Sequence, residues 1–394
     1  MQAFTYYVPT EIVFGPGAED QTADLIKKHS GTRTLIVYGE GSVVRTGLLD
    51  RITGQLKLSG IEYLKHGGAT PNPHLSFAKE GVKAALEFGA DFILAVGGGS
   101  AIDAAKAIAH GTKNPDIDIW KFWTREEPLT KSLPVGVVLT ISAAGSETSN
   151  SAVLTNTEIG KKRGLGTDFN RPRFAIMNPE LTYTLPKYHI ACGIADILMH
   201  TLERYFTLVD SNEMTDEIAE ALMRVVIKNG VTLLENPSDY QAASEVMWCG
   251  SMSHTGLTGL GRPMDFSAHQ LGHELSGRFD VAHGASLTTM WGSWARYCLS
   301  VNPKRFARYA KKVWAVEDSL PTDEAANEGI ARSEAYFKSI GMPTCFTELG
   351  IGVQKDSVID ELAESCVFHG QRKVGTFKPL DKNDVFKIYQ AANR

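Results

Sequence analysis

One carboxylate and a set of imidazoles stand at spacings that suit a divalent transition metal. Asp196 and His200 are four apart in Gly193-Ile-Ala-Asp-Ile-Leu-Met-His200, so on a helix they lie one above the other. Ile194, Leu198 and Leu202 make a separate apolar stripe on the same stretch. His269 and His273 repeat the four-residue spacing in Ala268-His-Gln-Leu-Gly-His273, and His283 follows just before Gly284 in a loop-like segment. A carboxylate and several imidazoles arriving from two helices and a loop are the donors that Fe(II) or Zn(II) takes. Spacing does not choose between His269 and His273, and the competing reading is a set of surface or core histidines. His254 lies in a helical stretch near Trp248 and Met252 and reads as a pocket wall or packing residue. His29, His66, His74, His110, His189 and His369 carry no functional expectation. Zinc peptidases also pair histidines four apart, but with a glutamate general base directly after the first. Gln270 stands at that place and cannot take a proton, which removes the peptidase reading.

A second chemistry is written in glycine. The apolar run Asp91 to Val96 leads into Gly97, Gly98, Gly99 and Ser100, and a helix is predicted from Ala101. Bare backbone lets a ligand approach amides closely, Ser100 can cap the helix, and free N–H groups at a helix start attract phosphate. Asp103 sits in the first turns, where a carboxylate suits the helix dipole. The Gly-x-Gly-x-x-Gly dinucleotide pattern is absent. An earlier turn, Gly39-Glu40-Gly41-Ser42, also follows a strand candidate. Two glycine-rich turns at strand carboxyl ends are what an extended dinucleotide needs.

The elements that must hold these residues fall into two halves. Thr34 to Tyr38, Asp91 to Val96 and Leu133 to Ile141 read as buried strands, separated by helical stretches such as Ala18 to His29, Ser76 to Phe88 and Ala101 to His110. That alternation predicts an α/β domain with a Rossmann-like parallel sheet. From about Pro186 long helical periodicities take over: Ile190 to Thr207, Thr215 to Val231, Gln241 to Thr258, Phe306 to Trp314, Ala325 to Ile340 and Asp381 to Ala392. The expected domains are residues 1–187, binding a dinucleotide, and residues 188–394, helical and metal-binding.

Composition narrows the partners. The 394 residues are 43% hydrophobic and 22% charged, as in a globular protein, and exceed one ordinary core. A net charge of -5 offers no basic field, so neither nucleic acid nor an anionic membrane is expected. The five cysteines are scattered without a Cys-x-x-Cys pair, which suggests buried thiols in a reducing compartment. The opening residues lack a signal peptide's basic start and apolar core, and no apolar run nears the roughly 20 residues that span a bilayer. A cytoplasmic location is the expectation.

Several long motifs in order make the chain resemble the iron-containing (group III) alcohol dehydrogenases, in their NADP-dependent butanol dehydrogenase and aldehyde reductase branch. They are Phe4 to Gly15, Pro71-Asn72-Pro73, Gly97 to Lys106, Gly145-Ser146-Glu147, Asn178 to Pro186, and the segments around Asp196, His269 and His283. The resemblance implies a helical C-terminal domain of the dehydroquinate synthase type and a small aldehyde or alcohol substrate. It also implies a homodimer. It assigns metal ligation to Asp196, His200, His269 and His283, and gives His273 a place near the nicotinamide, making it the candidate proton relay. Gly97, Gly98, Gly99 and Ser100 match the pyrophosphate loop with Asp103 beside it, and Asn72, Thr140 and Lys162 match the cofactor cleft. Members that favour NAD carry an aspartate where this chain has Gly39, so NADP(H) is expected, its 2′-phosphate held by Ser42 and Arg45. Glu40, Ala144 and Asn178 depart from the family pattern.

Two rivals have different signatures. A metal- and nicotinamide-dependent lyase or cyclase of the dehydroquinate synthase type needs basic groups for an acidic substrate. Between Asp196 and His283 only Arg204, Arg224, Lys228 and Arg262 are available, with no cluster at a ligand. A nucleotide-binding protein without catalysis would leave the histidines structural.

Overall fold

The computed structural model describes every residue except Glu40 and Ala144. The chain divides into two compact units. One is built from Tyr7–Pro186 and Asn236–Ser251, the other from Met1–Tyr6, Lys187–Glu235 and Met252–Arg394.

The first unit alternates strand and helix. In chain order it holds β1 (Glu11–Phe14), α1 (Thr22–Lys28), β2 (Arg33–Tyr38), α2 (Ser42–Arg45), α3 (Leu48–Leu58), β3 (Glu62–Gly67), α4 (Leu75–Phe88) and β4 (Phe92–Gly97). It continues with α5 (Gly99–Lys113), α6 (Trp120–Thr124), β5 (Val135–Leu139), β6 (Ser151–Asn156), β7 (Lys161–Gly166) and β8 (Phe174–Met177). Six strands form one sheet in the order β1-β8-β5-β4-β2-β3, every pair parallel, while β6 and β7 make an antiparallel hairpin. Helices cover both faces, which is why β4 is apolar and buried along its whole length. Ile93 and Ala95 pack with Ile102, Ala105 and Ile108 of α5 on one face. Leu94 and Val96 pack with Ile52 and Leu56 of α3 on the other. Each fully buried aliphatic side chain contributes about 1.5–3 kcal/mol, so β4 is anchored from both faces of the sheet.

The helix after the glycine turn begins at Gly99, two residues before the predicted start. Gly98 is its N-cap and supplies no side-chain bond, so Ser100 lies inside the first turn and does not cap. A Cβ on Gly98 would overlap Ile141, which explains the glycine.

The second unit is helical: α7 (Lys187–Tyr205), α8 (Glu213–Glu235), the end of α9 (Tyr240–His254), α10 (Ser267–Phe279), α11 (His283–Cys298), α12 (Pro303–Trp314), α13 (Thr322–Ser339), α14 (Phe346–Leu349), α15 (Asp356–Cys366) and α16 (Lys382–Ala392). Its core is aromatic. Phe206 packs 4.4 Å from Phe306 and 5.6 Å from Trp294, ring centre to ring centre, and Trp291 is wholly buried. All five cysteines are free thiols, four of them buried. Among the described residues no helix is long and apolar enough to cross a membrane.

Candidate metal centre and nucleotide pocket

Three helices bring the metal candidates together. Asp196 and His200 lie on α7, His269 is the third residue of α10, and His283 is the first residue of α11. The loop-like reading of His283 is therefore corrected: Gly284 serves close packing, because a Cβ there would strike the Cys192 backbone of α7. One donor atom from each of Asp196, His200 and His269 lies within 4.8 Å of the others, and all three residues are buried. Nε2 of His283 stands 3.8 Å from Asp196 Oδ1, and Nε2 of His269 stands 3.7 Å from the same oxygen.

Each ring is turned by its other nitrogen. Nδ1 of His200 is 3.0 Å from the Asp196 carbonyl oxygen, and Nδ1 of His269 is 3.0 Å from Glu203 Oε2. A ring N–H donated there leaves Nε2 as the free lone pair. Asp196 Oδ1 and His269 Nε2 are buried with no aligned hydrogen bond, although His200 Nδ1 also lies 3.1 Å from that oxygen. Buried polar atoms are normally bonded, so these orphans, with imidazole and carboxylate as donors, fit a divalent transition metal. Burial works to raise the Asp196 pKa, but the imidazoles of His200 and His283 hold it well below the usual carboxylate range. Burial pushes His200 down to about 4 against the pull of Asp196. Burial also opposes charge on His269, yet Glu203 and Asp196 raise it to about 9, so a cation binding at Nε2 would displace a proton there.

His273 stands beside this group and outside the three-residue cluster, its ring 5.2 Å from His283 and 6.3 Å from His269. His254 is closer to the centre than packing alone suggested. Its ring lies 4.1 Å from His200, and Arg204 donates to its Nδ1 at 3.2 Å while also donating to the His200 carbonyl at 2.7 Å. Burial, followed by His200 and Arg204, holds the His254 pKa well below the ordinary value. The end of α7 is anchored by Arg305, which donates to the Tyr205 carbonyl at 2.6 Å and to Asp216 Oδ2 at 2.6 Å. Arg262 joins the same buried carboxylate. Glu203 was not singled out from sequence, and Arg204 entered only as a basic group open to a lyase. The available signal was spacing, since Glu203 follows Asp196 by seven and His200 by three and so shares their helix face. Gln270, the residue that removed the peptidase reading, accepts from Arg372 at 2.7 Å.

In the first unit a cavity of about 320 Å³ opens beside the glycine turns, lined by Ser42, Arg51, Thr140, Asn178 and Leu181 among others. Gly39 follows β2, and Ser42 begins α2. Gly97 ends β4, and its carbonyl accepts from Thr140 N at 3.1 Å, tying the two loops together. Lys162 donates to Asn72 at 2.9 Å, so two residues ninety apart meet. Asp103 is occupied: it accepts from Ser146 Oγ and, at 2.9 Å, from Val153 N, and burial raises its pKa despite nearby Lys106. Lys106 is wholly buried, which lowers it to about 8, and it donates to the Ser146 and Ser151 carbonyls at 2.7 Å. Together they clamp the Gly145-Ser146-Glu147 segment onto α5. Asn178 has a physical reason for its departure from the family aspartate. Its Oδ1 accepts Glu180 N, and its Nδ2 donates at 3.0 Å to buried Glu19, which a second carboxylate would repel. Glu40 and Ala144, the other departures, lie outside the described residues.

Two family models match in tandem, iron-containing alcohol dehydrogenase over residues 9–179 and the C-terminal part of that family over residues 190–393. The chain belongs to the iron-containing alcohol dehydrogenases. As a member it is an oxidoreductase. It is 38% identical to NADH-dependent butanol dehydrogenase A of Clostridium acetobutylicum, with 99% of both chains covered. It is 33% identical over its whole length, and over the whole of the relative, to the NADPH-dependent aldehyde reductase YqhD of Escherichia coli. The crystal structure of NADH-dependent butanol dehydrogenase A from Thermotoga maritima superposes with a TM-score of 0.96 at 33% identity, covering 100% of this chain and 99% of that one.

Proposed function

We propose that this iron-containing alcohol dehydrogenase works as an aldehyde reductase, exchanging hydride between NADP(H) and a small aldehyde or primary alcohol of the butanal and butanol class. One Fe(II) or Zn(II) ion would be held by Asp196, His200, His269 and His283. The observation that carries this reading is the convergence from separate helices of buried Asp196 Oδ1 and His269 Nε2, neither with an aligned hydrogen bond. Residues 1–187 would supply most of the nucleotide domain and 188–394 most of the metal domain of a cytoplasmic homodimer, with Met1–Tyr6 and Asn236–Ser251 each packing into the other unit.

When bound, the cation supplies Lewis acidity toward the substrate oxygen and the nicotinamide supplies or takes the hydride. The chain's own residues do the rest. Gly97, Gly98, Gly99 and Ser100 present bare amides at the α5 N-terminus to the pyrophosphate. Asn72, Thr140 and Lys162 line the nucleotide, with Asp103 holding the loop beside it. His273 moves the proton that accompanies hydride, the role an imidazole near neutral pH performs best. For NADP over NAD, the support is Gly39, which places no carboxylate against a 2′-phosphate, together with Ser42 and Arg45. The Arg45 guanidinium folds over the turn, 2.9 Å from where a Cβ on Gly41 would stand.

The lyase reading is disfavoured because three of its four candidate basic groups are engaged elsewhere and the fourth, Lys228, lies exposed on α8. Arg204 serves His200 and His254, Arg262 serves Asp216, and Arg224 donates to the Lys312 carbonyl. The test follows NADPH fluorescence on adding butanal, with and without a chelator. The proposal expects NADPH oxidation that the chelator stops and added Fe(II) or Zn(II) restores. NADPH binding without oxidation, or oxidation indifferent to the chelator, would count against it.

A further inference from the structure

Helix α10 carries His269 in its first turn, yet it begins without a cap of its own. Phe266, the residue at the cap position, has a left-handed φ of 59° and no side-chain oxygen. The first N–H groups of a helix have no partner inside it, and a carboxylate at that positive end is favourable. Asp265 satisfies one of them, accepting Ser267 N at 3.1 Å. Another, that of His269, is reached from a different helix. Glu203 of α7 accepts His269 N at 2.9 Å through Oε1 and lies 3.0 Å from His269 Nδ1 through Oε2. Its backbone carbonyl accepts Asp265 N at 2.9 Å. One buried residue thus grips the start of α10 at three points, two of them on His269 itself.

We propose that Glu203 is a positioning residue for the metal centre, clamping His269 by backbone and ring so that Nε2 faces Asp196. The proposal rests on the metal reading above. A rigid link between two ligand-bearing helices follows from the geometry. Asp196, His200 and Glu203 share one face of α7, so the clamp delivers the α10 imidazole to the two α7 ligands. A ring free to rotate about χ2 would present carbon or a protonated nitrogen as often as a lone pair. Partners of this kind on a ligating histidine are worth roughly 10- to 100-fold in metal affinity.

Glu203→Gln separates this role from plain helix capping. The glutamine oxygen can still accept His269 N, keeping the cap, but its NH2 then meets Nδ1 and selects the tautomer with the proton on Nε2. Titration of metal-free protein with Co(II), read by competition and by the cobalt absorption bands, should show affinity reduced 10- to 100-fold and altered bands in Glu203→Gln. NADPH binding should stay as in wild type. Wild-type affinity and bands in Glu203→Gln would overturn the proposal while leaving the metal reading standing. A wild type that takes up no Co(II) would end both. Should the variant fail to fold, 15N histidine spectra of zinc-loaded wild type decide. A slowly exchanging proton on His269 Nδ1 supports the clamp, and zinc on Nδ1 overturns it.

Discussion

Replacing Gly284 by alanine is expected to weaken the metal centre without altering any ligand. Gly284 is the second residue of α11 and faces α7 so closely that a Cβ would fall 2.9 Å from both the Cα and the carbonyl carbon of Cys192, and closer still to its oxygen. Carbon atoms in ordinary contact stand about 3.5–4.0 Å apart, so the start of α11 must retreat by roughly 1 Å. Both surfaces are helix backbone, and overpacking of this kind costs about 1–3 kcal/mol. Metal bonds tolerate only about 0.2 Å, so His283, the preceding residue, would leave the set. Zinc affinity should fall at least tenfold and butanal turnover by roughly 10²-fold, the cost of about a 1 Å misplacement. Gly54→Ala is the control. It lies exposed in α3 with nothing within 4 Å of its Cβ, and alanine there should stabilise by about 0.5–1 kcal/mol. Zinc competition titrations, calorimetry of the metal-free protein and NADPH oxidation measure all three effects. Wild-type zinc affinity in Gly284→Ala would refute the packing argument.

His273→Ala should retain metal, slow turnover by roughly 10²-fold and flatten the pH profile, the mark of a lost proton relay; loss of the metal instead would show that His273 is a ligand. Arg45→Ala should cost about 1 kcal/mol in NADPH binding, or roughly fivefold, since its guanidinium is exposed to solvent. NADH binding should not change, and an equal loss for both cofactors would remove Arg45 from 2′-phosphate recognition. His110 is buried between Ser132 Oγ and Asn170 Oδ1, each at 2.8 Å, and burial lowers its pKa to about 4 from 6.5. The unfolded chain therefore binds a proton that the folded chain refuses, so stability falls as pH drops from about 6.5 to 4, by up to roughly 3 kcal/mol. His110→Gln should flatten urea-melt stability across that window, and an unchanged slope would contradict the assignment.

Buried strands β2, β4 and β5 were legible because a strand covered on both faces must be continuously apolar. The long amphipathic helices α7, α8, α12 and α13 were legible by their period. Edge strands β1 and β3 carry mixed, half-exposed patterns that resemble loops. The β6–β7 hairpin ends in Lys161-Lys-Arg-Gly-Leu-Gly166, too polar to read as a strand. The four-residue histidine spacing exposed α10 despite Gly272, but Gly284 hid the start of α11, since local propensity counts glycine against a helix. Both are there because a neighbouring chain segment approaches, a fact visible only in three dimensions. Residues 236–251 join the first unit through Met247, buried in the core beneath the sheet, and through Ser251, bonded to Glu147. No local pattern announces such a return. At the metal centre, spacing exposed Asp196 and His200 as a pair. Choosing His269 over His273 needed the family resemblance, and the role of Glu203 needed coordinates.

The most direct test is elemental analysis of purified active protein beside its butanal activity, through chelation and stepwise restoration of Fe(II) or Zn(II), with Asp196→Asn carried in parallel. The account expects one metal ion per chain, activity proportional to restored metal, and neither metal nor activity in Asp196→Asn despite normal NADPH binding. Full activity in protein stripped of metal, or stoichiometric metal retained by Asp196→Asn, would contradict it.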